Sequence, residues 1–415
     1  MQHKTVLFIG FTWPEPTSTA AGSRMLQLLQ VFGVRKYRRV FTSAAAESPL
    51  SLDLESFGVE KRVIKLNDTG FDTFISDLKP DIVVFDRFLT EEQFGWRVAE
   101  FAPQALRILD TEDLHSLRTS RQAVLKKGIP FTTEAWLQSD TAKREIASIY
   151  RCDLSLIISA YEMQLLTEVL KIDDNLLLHL PFMLDAVGEK TLAAWLSFEE
   201  RRDFVCIGNG KHAPNVDAIL WLKKEIWPLI RKQLPDVNLL VYGAYLPQHI
   251  QQMDNPKEGF RVRGWAEDAI AVLQKARISL APLRFGAGIK GKLIDAMQAG
   301  TPSITTDVGA EGMCGGLPWN GKIANSAEDF SAAAVRLYRD ALSWHRAQRY
   351  GISLVNSFYD KGRLSEKLIA TIEKIGENQE HHRNQNFIGS MLQHHTMTST
   401  KYLARWIEIK NQDRH

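Results

Sequence analysis

Cysteines are scarce in this sequence, and long apolar runs are missing. The three cysteines, Cys152, Cys206 and Cys314, lie far apart and have no metal-ligand spacing. They indicate neither a disulfide framework nor a zinc site, and they fit a reducing compartment. No run of about 18 apolar residues predicts a membrane-spanning helix, and the apolar run near the start is too short for a secretion signal. We therefore expect a cytoplasmic protein, with contact to a membrane surface left open.

A net charge of one sign is missing as well. The 415 residues include 51 Lys and Arg against 49 Asp and Glu, so no overall field predicts binding to nucleic acid or to a membrane. The His, Asp and Glu residues show no metal-site spacing, and neither a metal nor another cofactor is expected. Two basic segments, 35–39 and 119–128, are either scattered surface charge or a contact for anionic lipid or an anionic acceptor.

Short apolar runs alternate with amphipathic helical segments along most of the chain. A first series starts with TVLFIG at 5–10 and continues through RVFT, RVIKL, DIVVFD, LRILD, LSLIIS and NLLLHL. A second starts with DFVCIG at 203–208 and continues through NLLVYG, FRVRG, ISLAP and PSITTD. Such runs between helices predict parallel sheets covered on both faces. The restart predicts an α/β chain with two Rossmann-like domains that face a central cleft.

The segment LAPLRFGAGIKGKLIDAMQAG, residues 280–300, places a glycine loop with two lysines between an apolar strand and a helix. Glycines let a backbone approach a ligand closely, and a helix N-terminus presents free N–H groups. Ligands of such sheets bind beyond the carboxyl ends of the strands, where this loop lies. The segment therefore predicts an anion site, and a plain turn is the alternative.

Two longer stretches resemble the C-terminal domain of family-4 retaining glycosyltransferases with the GT-B fold. They are FVCIGNGKHAPNVDAILWLKKEIWPLIRKQLPDVNLLVYGA and LAPLRFGAGIKGKLIDAMQAGTPSITTDVGAEGM, whose GAGIKGK loop marks a subgroup. LDTEDLHSLRTSRQ and PEPTSTAAGSRMLQLL are similar to N-terminal segments of the same subgroup. The resemblance covers about residues 5–375. It implies metal-independent, retaining transfer of a hexosyl group from a nucleotide-sugar to a glycan, lipid-linked or other hydroxyl acceptor in bacterial surface glycan assembly.

The resemblance also implies a role for each part of the chain. Residues 1–183 are expected to form the acceptor-side domain, and residues 184–352 the domain that binds the nucleotide-sugar. Residues 353–376 are expected to cross back as a helix onto the N-terminal domain, and residues 377–415 form an amphipathic tail outside the resemblance.

Apolar residues share two helical faces of this tail. They are Phe387, Ile388, Met391 and Leu392 on the first, and Tyr402, Leu403, Trp406 and Ile407 on the second. Each face could dock on the protein's own surface. Alternatively, each could bind a partner, a second subunit or the acceptor.

The donor diphosphate is expected at the glycine loop. Backbone groups of Gly286, Ala287 and Gly288 and the side chains of two lysines offer N–H groups and positive charge. Because Lys290 and Lys292 cannot point the same way, one is expected on phosphate and the other in a structural role. The family usually carries a glutamate where Ala287 stands, and backbone groups of this loop are expected to replace its contact to the sugar.

Three further positions of the C-terminal half are donor candidates by resemblance. Asp295 resembles the residue that holds the ribose, because a carboxylate accepts two hydrogen bonds from a vicinal diol. Gly208 opens a second loop, in which Lys211 is either a phosphate contact or a surface lysine. Glu311 contacts the donor or closes its own loop.

In the N-terminal half, His115 is expected to contact the transferred sugar or support the leaving group, with a structural histidine as the alternative. Asp110 and Asp113 share its loop; one is expected to position the acceptor hydroxyl and the other to cap the next helix. Gly22 and Arg24 open the first helix, where they either face the diphosphate or form a plain N-cap with a solvated arginine.

Two other functions stay open at this point. A sugar-nucleotide epimerase or hydrolase of the same fold would consume the donor without an acceptor. A non-catalytic protein that binds nucleotide-sugar would explain the missing glutamate as lost activity.

Overall fold

The computed structural model describes residues 4–412, with the side chains of all but 396–398, 411 and 412. The predictions for residues 1–3 and 413–415 lie outside the described residues. The first sheet consists of β1 (Thr5–Gly10), β2 (Arg38–Ser43), β3 (Glu60–Val63), β4 (Ile82–Asp86), β5 (Leu106–Asp110), β6 (Leu154–Ile157) and β7 (Leu177–His179). The second consists of β8 (Arg202–Ile207), β9 (Leu239–Tyr242), β10 (Phe260–Gly264), β11 (Ala276–Ala281), β12 (Ser303–Thr305) and β13 (Gly321–Ile323).

The strand order of both sheets is that of a doubly wound α/β domain. The first sheet runs β3-β2-β1-β4-β5-β6-β7 and the second β10-β9-β8-β11-β12-β13. Neighbouring strands pair in parallel in both. The order reverses next to β1 and next to β8, and ligands of this architecture bind at that reversal. The predicted fold class, two Rossmann-like α/β domains, is confirmed.

Helices follow most strands. Those of the first domain are α1 (Ala20–Val34), α2 (Gly70–Leu78), α3 (Arg87–Phe101), α4 (His115–Lys127), α5 (Thr133–Leu137), α6 (Asp140–Arg151) and α7 (Ala160–Gln164). Those from the linker to the end of the second domain are α8 (Glu189–Ala193), α9 (Ala213–Trp221), α10 (Trp227–Gln233), α11 (Gln248–Gln251), α12 (Ala269–Lys275), α13 (Gly291–Gln298), α14 (Asp307–Ala310), α15 (Ala327–Arg339) and α16 (Ala341–Phe358). The remaining helices are α17 (Lys361–Glu377), α18 (Gln379–Gln385), α19 (Phe387–Leu392) and α20 (Thr398–Gln412).

Short helical turns of other pitch complete the chain. The 3-10 turns are Glu55–Phe57, Asp174–Leu176 and Pro256–Glu258. The π turns are Leu165–Val169, Leu222–Ile226 and Gln393–Met397.

Strand β1 shows why the apolar runs predicted buried sheets. Val6 and Phe8 point into a cluster on one face of the sheet, and Leu7 and Ile9 point into another cluster on the opposite face. All four side chains are fully buried. Burial of one such side chain stabilises the fold by about 1.5–3 kcal/mol, so an unbroken apolar run is favoured where helices cover both faces of a sheet.

Two segments connect the domains, and they are hydrogen-bonded to each other. The backbone N–H of Leu184 donates to the carbonyl oxygen of Tyr359 (2.7 Å), and that of Lys361 donates to the carbonyl of Leu184 (2.9 Å). The segment 353–376 is therefore divided at this point. Its first residues end α16 on the second domain, and the rest forms α17, whose apolar face packs into the core of the first domain.

The tail docks on the first domain, at the amino ends of its strands. Arg383 of α18 binds the buried carboxylate of Asp153 (2.7 Å), and Glu408 of α20 pairs with Arg97 of α3. Several apolar side chains of α19 and α20 stay exposed: Phe387, Ile388, Met391, Tyr402, Leu403, Trp406 and Ile409. None of the helices within residues 4–412 is long and apolar enough to cross a membrane.

Candidate active site

A cleft of about 720 Å³ separates the carboxyl ends of the two sheets. It is lined by the loops after β1, β4 and β5 of the first domain and by the loops after β8, β9 and β11 of the second. Helices α1 and α13 both begin at this cleft, and a helix N-terminus favours bound anions. The arrangement can therefore hold an anionic ligand between two domains.

The loop 286–290 leads into α13 from the floor of the cleft. Among the described side chains none caps this helix at Lys290, so its first N–H groups stay available to a ligand. Gly288 adopts a left-handed φ of +63°, and a Cβ there would come within 2.9 Å of the Cβ of Asp113. Glycine at this position therefore allows both the turn and the contact between the domains.

The two lysines of this loop point to different partners. Lys292 Nζ donates to Asn215 Oδ1 (2.5 Å) and forms no ion pair within the described residues. Lys290 Nζ donates to the carbonyl oxygen of Gly288 (2.8 Å). Burial lowers the pKa of Lys290 to about 8. The nearby carboxylates of Glu311 and Glu162 have the opposite, weaker effect and raise this pKa. Lys292 is thus a cation of the cleft that forms no ion pair within the described residues. Burial lowers its pKa, and Asp295 is the carboxylate that acts in the opposite direction.

Asp295 of α13 also lines the cleft. Within the described part of the chain its carboxylate accepts no hydrogen bond from the protein. Burial raises its pKa to about 7, while Lys292 acts in the opposite direction. A buried carboxylate that lacks protein donors can accept hydrogen bonds from the hydroxyls of a ligand.

Glu311 and Ala287 are held by the first domain. Both carboxylate oxygens of Glu311 accept hydrogen bonds from Arg121 (2.7 and 2.8 Å), which also donates to the carbonyl oxygen of Gly286 (2.9 Å). Ala287 belongs to the apolar core cluster of the first domain and also lines the cleft. Glu311 is thus placed in a contact between the domains and does not line the cleft.

Arg24 and Asp110 bind each other in the interior of the first domain. Arg24 Nη2 lies 2.8 Å from Asp110 Oδ1, and both side chains are fully buried. Arg24 also donates to the carbonyl oxygen of Leu180 (2.7 Å). Neither residue lines the cleft, so the structure places the arginine away from the position expected for the diphosphate and away from solvent. Together they join the ends of α1, β5 and β7.

Asp113, Arg118 and His115 form a chain of polar contacts. Arg118 Nε donates to Asp113 Oδ2 (2.7 Å), and Arg118 Nη2 lies 2.8 Å from His115 Nδ1. Burial alone would raise the pKa of Asp113, but Arg118 outweighs it and the pKa is about 2. Asp113 and Arg118 line the cleft, whereas His115 stands behind them and orients the guanidinium. Burial and Arg118 lower the pKa of His115, which keeps its imidazole neutral.

Gly22 of the first domain and Gly208 and Lys211 of the second domain also line the cleft. A Cβ on Gly22 would lie 2.4 Å from the backbone of Glu15, and one on Gly208 would lie 2.7 Å from Lys292 Nζ. Lys211 Nζ stands 3.7 Å above the ring centroid of Tyr245. The lysine therefore has an aromatic partner and still faces the cleft.

The sequence analysis missed the polar residues that follow β4 and β5. Asp86, Arg87 and Glu112 line the cleft, and both Arg87 (φ +72°) and Glu112 (φ +62°) adopt the left-handed region. Asp86 Oδ1 and Glu112 Oε1 have no hydrogen-bond partner within the described residues. Burial raises the pKa of both carboxyls. Polar residues at the carboxyl ends of two buried strands are a pattern in the sequence from which these positions could have been predicted.

Comparison with known proteins supports the same architecture. Residues 201–340, most of the second domain, match the family described as Glycosyl transferases group 1. Anabaena HepE in complex with UDP and glucose is similar at a TM-score of 0.65 and 11% identity, over 89% of this chain and 100% of that one. WaaG, a glycosyltransferase involved in lipopolysaccharide biosynthesis, is similar at a TM-score of 0.60 and 12% identity, over 88% of this chain and 99% of that one.

The chain has the GT-B fold. A mutant of S. aureus TarM in complex with fondaparinux, α-GlcNAc-glycerol and UDP also matches, at a TM-score of 0.56 and 13% identity. The match covers 72% of this chain but only 58% of TarM, so the chain spans little more than half of that protein. At these identities the likeness concerns the fold alone. No curated protein matches this sequence.

Proposed function

We propose that this GT-B protein is a retaining, metal-independent glycosyltransferase of the family-4 type, which transfers a hexosyl group from a nucleotide-sugar to a hydroxyl acceptor. One observation carries the proposal: within the described residues, a helix N-terminus without a side-chain cap, a lysine without an ion pair and a carboxylate without protein donors converge on the cleft between the domains. These groups match a diphosphate and a ribose. The group 1 match in the same domain and the UDP bound by HepE support this reading.

The donor contacts are proposed residue by residue. Lys292 and the N-terminus of α13 hold the diphosphate, because both carry positive charge at the cleft and Lys292 forms no ion pair within the described residues. Asp295 accepts hydrogen bonds from the ribose hydroxyls. As the sugar leaves the diphosphate, these fixed positive groups stabilise the departing charge in place of a cation. Within residues 4–412, His, Cys, Asp and Glu form no group that could hold a metal ion.

The acceptor is proposed to bind on the opposite wall. Asp86 and Glu112 each have a carboxyl oxygen without a hydrogen-bond partner in the described residues, although Asp86 Oδ1 lies 3.4 Å from Arg87 Nε. A carboxyl oxygen can accept a hydrogen bond from a hydroxyl. Arg118, held by Asp113 and His115, supplies positive charge between this wall and the donor loop. We do not assign a protein nucleophile.

The acceptor is proposed to be an intermediate of bacterial surface glycan assembly, by analogy with the role of WaaG. The protein is proposed to act in the cytoplasm, in peripheral contact with the membrane. The exposed aromatic and aliphatic residues of α19 and α20 support that contact, because amphipathic helices with such a face bind at membrane interfaces.

The proposal is tested by donor turnover with and without acceptor. Purified protein is incubated with a panel of nucleotide-sugars, with or without glycan and lipid extracts, and released nucleoside diphosphate is measured. Release that depends on an acceptor and survives EDTA is expected. Equal release without acceptor would indicate an epimerase or hydrolase, and donor binding without release would indicate a binding protein. Activity that returns after EDTA only with added magnesium or manganese would overturn metal independence.

A further inference from the structure

Glu162 of α7 is a fully buried carboxylate at the boundary of the two domains. Its Oε1 accepts two backbone hydrogen bonds, one from Leu114 of the first domain (3.0 Å) and one from Gly288 of the second (2.8 Å). One oxygen atom of a residue in the first domain thus contacts the loop expected to bind the donor.

The two N–H groups belong to the two halves of the proposed site. Leu114 stands between Asp113 and His115, on the wall that holds Arg118. Gly288 is the left-handed residue of the loop before α13. Each N–H loses its acceptor if the carboxylate is removed, and an unsatisfied buried N–H costs about 1–3 kcal/mol. Removal of the Glu162 carboxyl group should therefore destabilise this shape of the loop before α13.

The groups around Glu162 fit this bridging role. Its pKa is about 8, raised by burial and by Asp113, and Lys290 lowers it from the side of the second domain. Arg121 binds the same loop at Gly286 from the same domain as Glu162. The glycine loop is thus held at two points by the first domain, at the carbonyl oxygen of Gly286 and at the N–H of Gly288.

We propose that Glu162 is a positioning residue that shapes the donor loop across the domain boundary, so that a residue of the first domain sets affinity for the nucleoside diphosphate without touching it. The inference rests on the proposed function, because it takes the loop 286–290 as the diphosphate site.

The test is isothermal titration of UDP into wild type, Glu162→Ala, Glu162→Asp and Glu162→Gln, with a matched control. Glu162→Gln keeps an oxygen acceptor for both N–H groups. Glu162→Asp keeps the carboxyl group but withdraws the oxygen by one methylene group. The control is Glu145→Gln, because Glu145 is equally buried and binds the N–H groups of His115 and Ser116, but none of its hydrogen bonds reaches the second domain.

Glu162→Ala and Glu162→Asp should weaken UDP binding at least about tenfold, whereas Glu162→Gln and Glu145→Gln should stay within about threefold of wild type. Melting temperatures identify the variants that remain folded. If Glu162→Ala does not fold, Glu162→Asp alone provides the test of UDP affinity. A folded Glu162→Asp with wild-type affinity overturns the inference. Equal losses in Glu162→Asp and Glu145→Gln would show general destabilisation and overturn it too. A wild-type protein that binds no nucleoside diphosphate would instead refute the proposed function.

Discussion

Arg121 of the first domain binds both carboxylate oxygens of Glu311 in the second domain, at 2.7 and 2.8 Å. Arg121→Ala removes this bidentate pair and the hydrogen bond to Gly286, so the domains should spend more time apart. Small-angle scattering should show a larger radius of gyration than wild type. Arg144→Ala is the control, because Arg144 forms an exposed pair with Glu92 inside one domain. Identical profiles for wild type and Arg121→Ala would contradict this prediction.

The two lysines of the glycine loop should differ in their effect on donor affinity. Lys292→Ala removes a cation whose hydrogen-bond partner is an amide and which forms no ion pair within the described residues, so we expect the change to weaken ligand binding. Loss of one partner of a buried charge pair costs about 2–5 kcal/mol, which is at least about 25-fold in Kd. Lys290→Ala should cost less, because that ammonium faces carboxylates of the protein itself. Titration with UDP measures the loss of affinity in each variant. A larger loss in Lys290→Ala than in Lys292→Ala would assign the phosphate contact to Lys290.

Asp295→Asn should weaken UDP binding more than pyrophosphate binding. The carboxylate has no protein donor, and its proposed partner is the ribose, which pyrophosphate lacks. An amide offers one oxygen acceptor where the carboxylate offers two. Competition experiments with UDP and pyrophosphate on the same variant measure the difference. An equal loss for both ligands would mean that Asp295 acts through Lys292 on the phosphates.

The architecture could be predicted from the sequence because buried parallel strands are local features. The run TVLFIG corresponds to β1, and each other predicted run overlaps a strand. Strand β13 was not predicted, since Gly321–Ile323 is short and its residues are only half-buried or exposed. The glycine loops could also be predicted from the sequence, because the local backbone shape determines their residue types.

Contacts between distant residues could not be predicted. Arg121 and Glu311 are 190 positions apart, and Glu162 and Gly288 are 126 apart. No local pattern pairs such residues. Arg24 shows the same limit, because an arginine after a helix start is usually solvated, and only the fold brings Asp110 to it. The departure at Ala287 was visible in the sequence, but its packing against the first domain was not.

His212 should make the native state sensitive to mild acid. Burial, then Arg118, lowers its pKa to about 4 from the ordinary value of 6.5, and Asp113 and Lys292 also face it. Its contribution to stability is therefore complete above pH 6.5 and is lost as the pH falls toward 4, because the unfolded chain takes up the proton first. His212→Gln lacks this dependence. The difference in melting temperature between wild type and variant should shrink between pH 7 and pH 5, and a constant difference would contradict the prediction.

Deletion of the tail, residues 377–415, should lower stability without changing donor affinity. Arg383 binds Asp153 through two nitrogens (2.7 and 2.8 Å) and also donates to two backbone carbonyl oxygens of the first domain. Its removal leaves the buried carboxylate of Asp153 with Arg107 at 3.7 Å as its remaining ion-pair partner. Breaking a buried pair typically costs about 3–5 kcal/mol, so the melting temperature should fall by at least about 5 °C.

UDP affinity should survive this deletion, since the tail packs at the amino ends of the strands of the first sheet and the cleft lies beyond their carboxyl ends. Arg383→Met is the matched control, because it removes the ion pair but keeps the tail, and it should reproduce much of the loss in melting temperature. Loss of UDP binding in a truncated protein that remains folded would contradict this separation and place the tail in the active site.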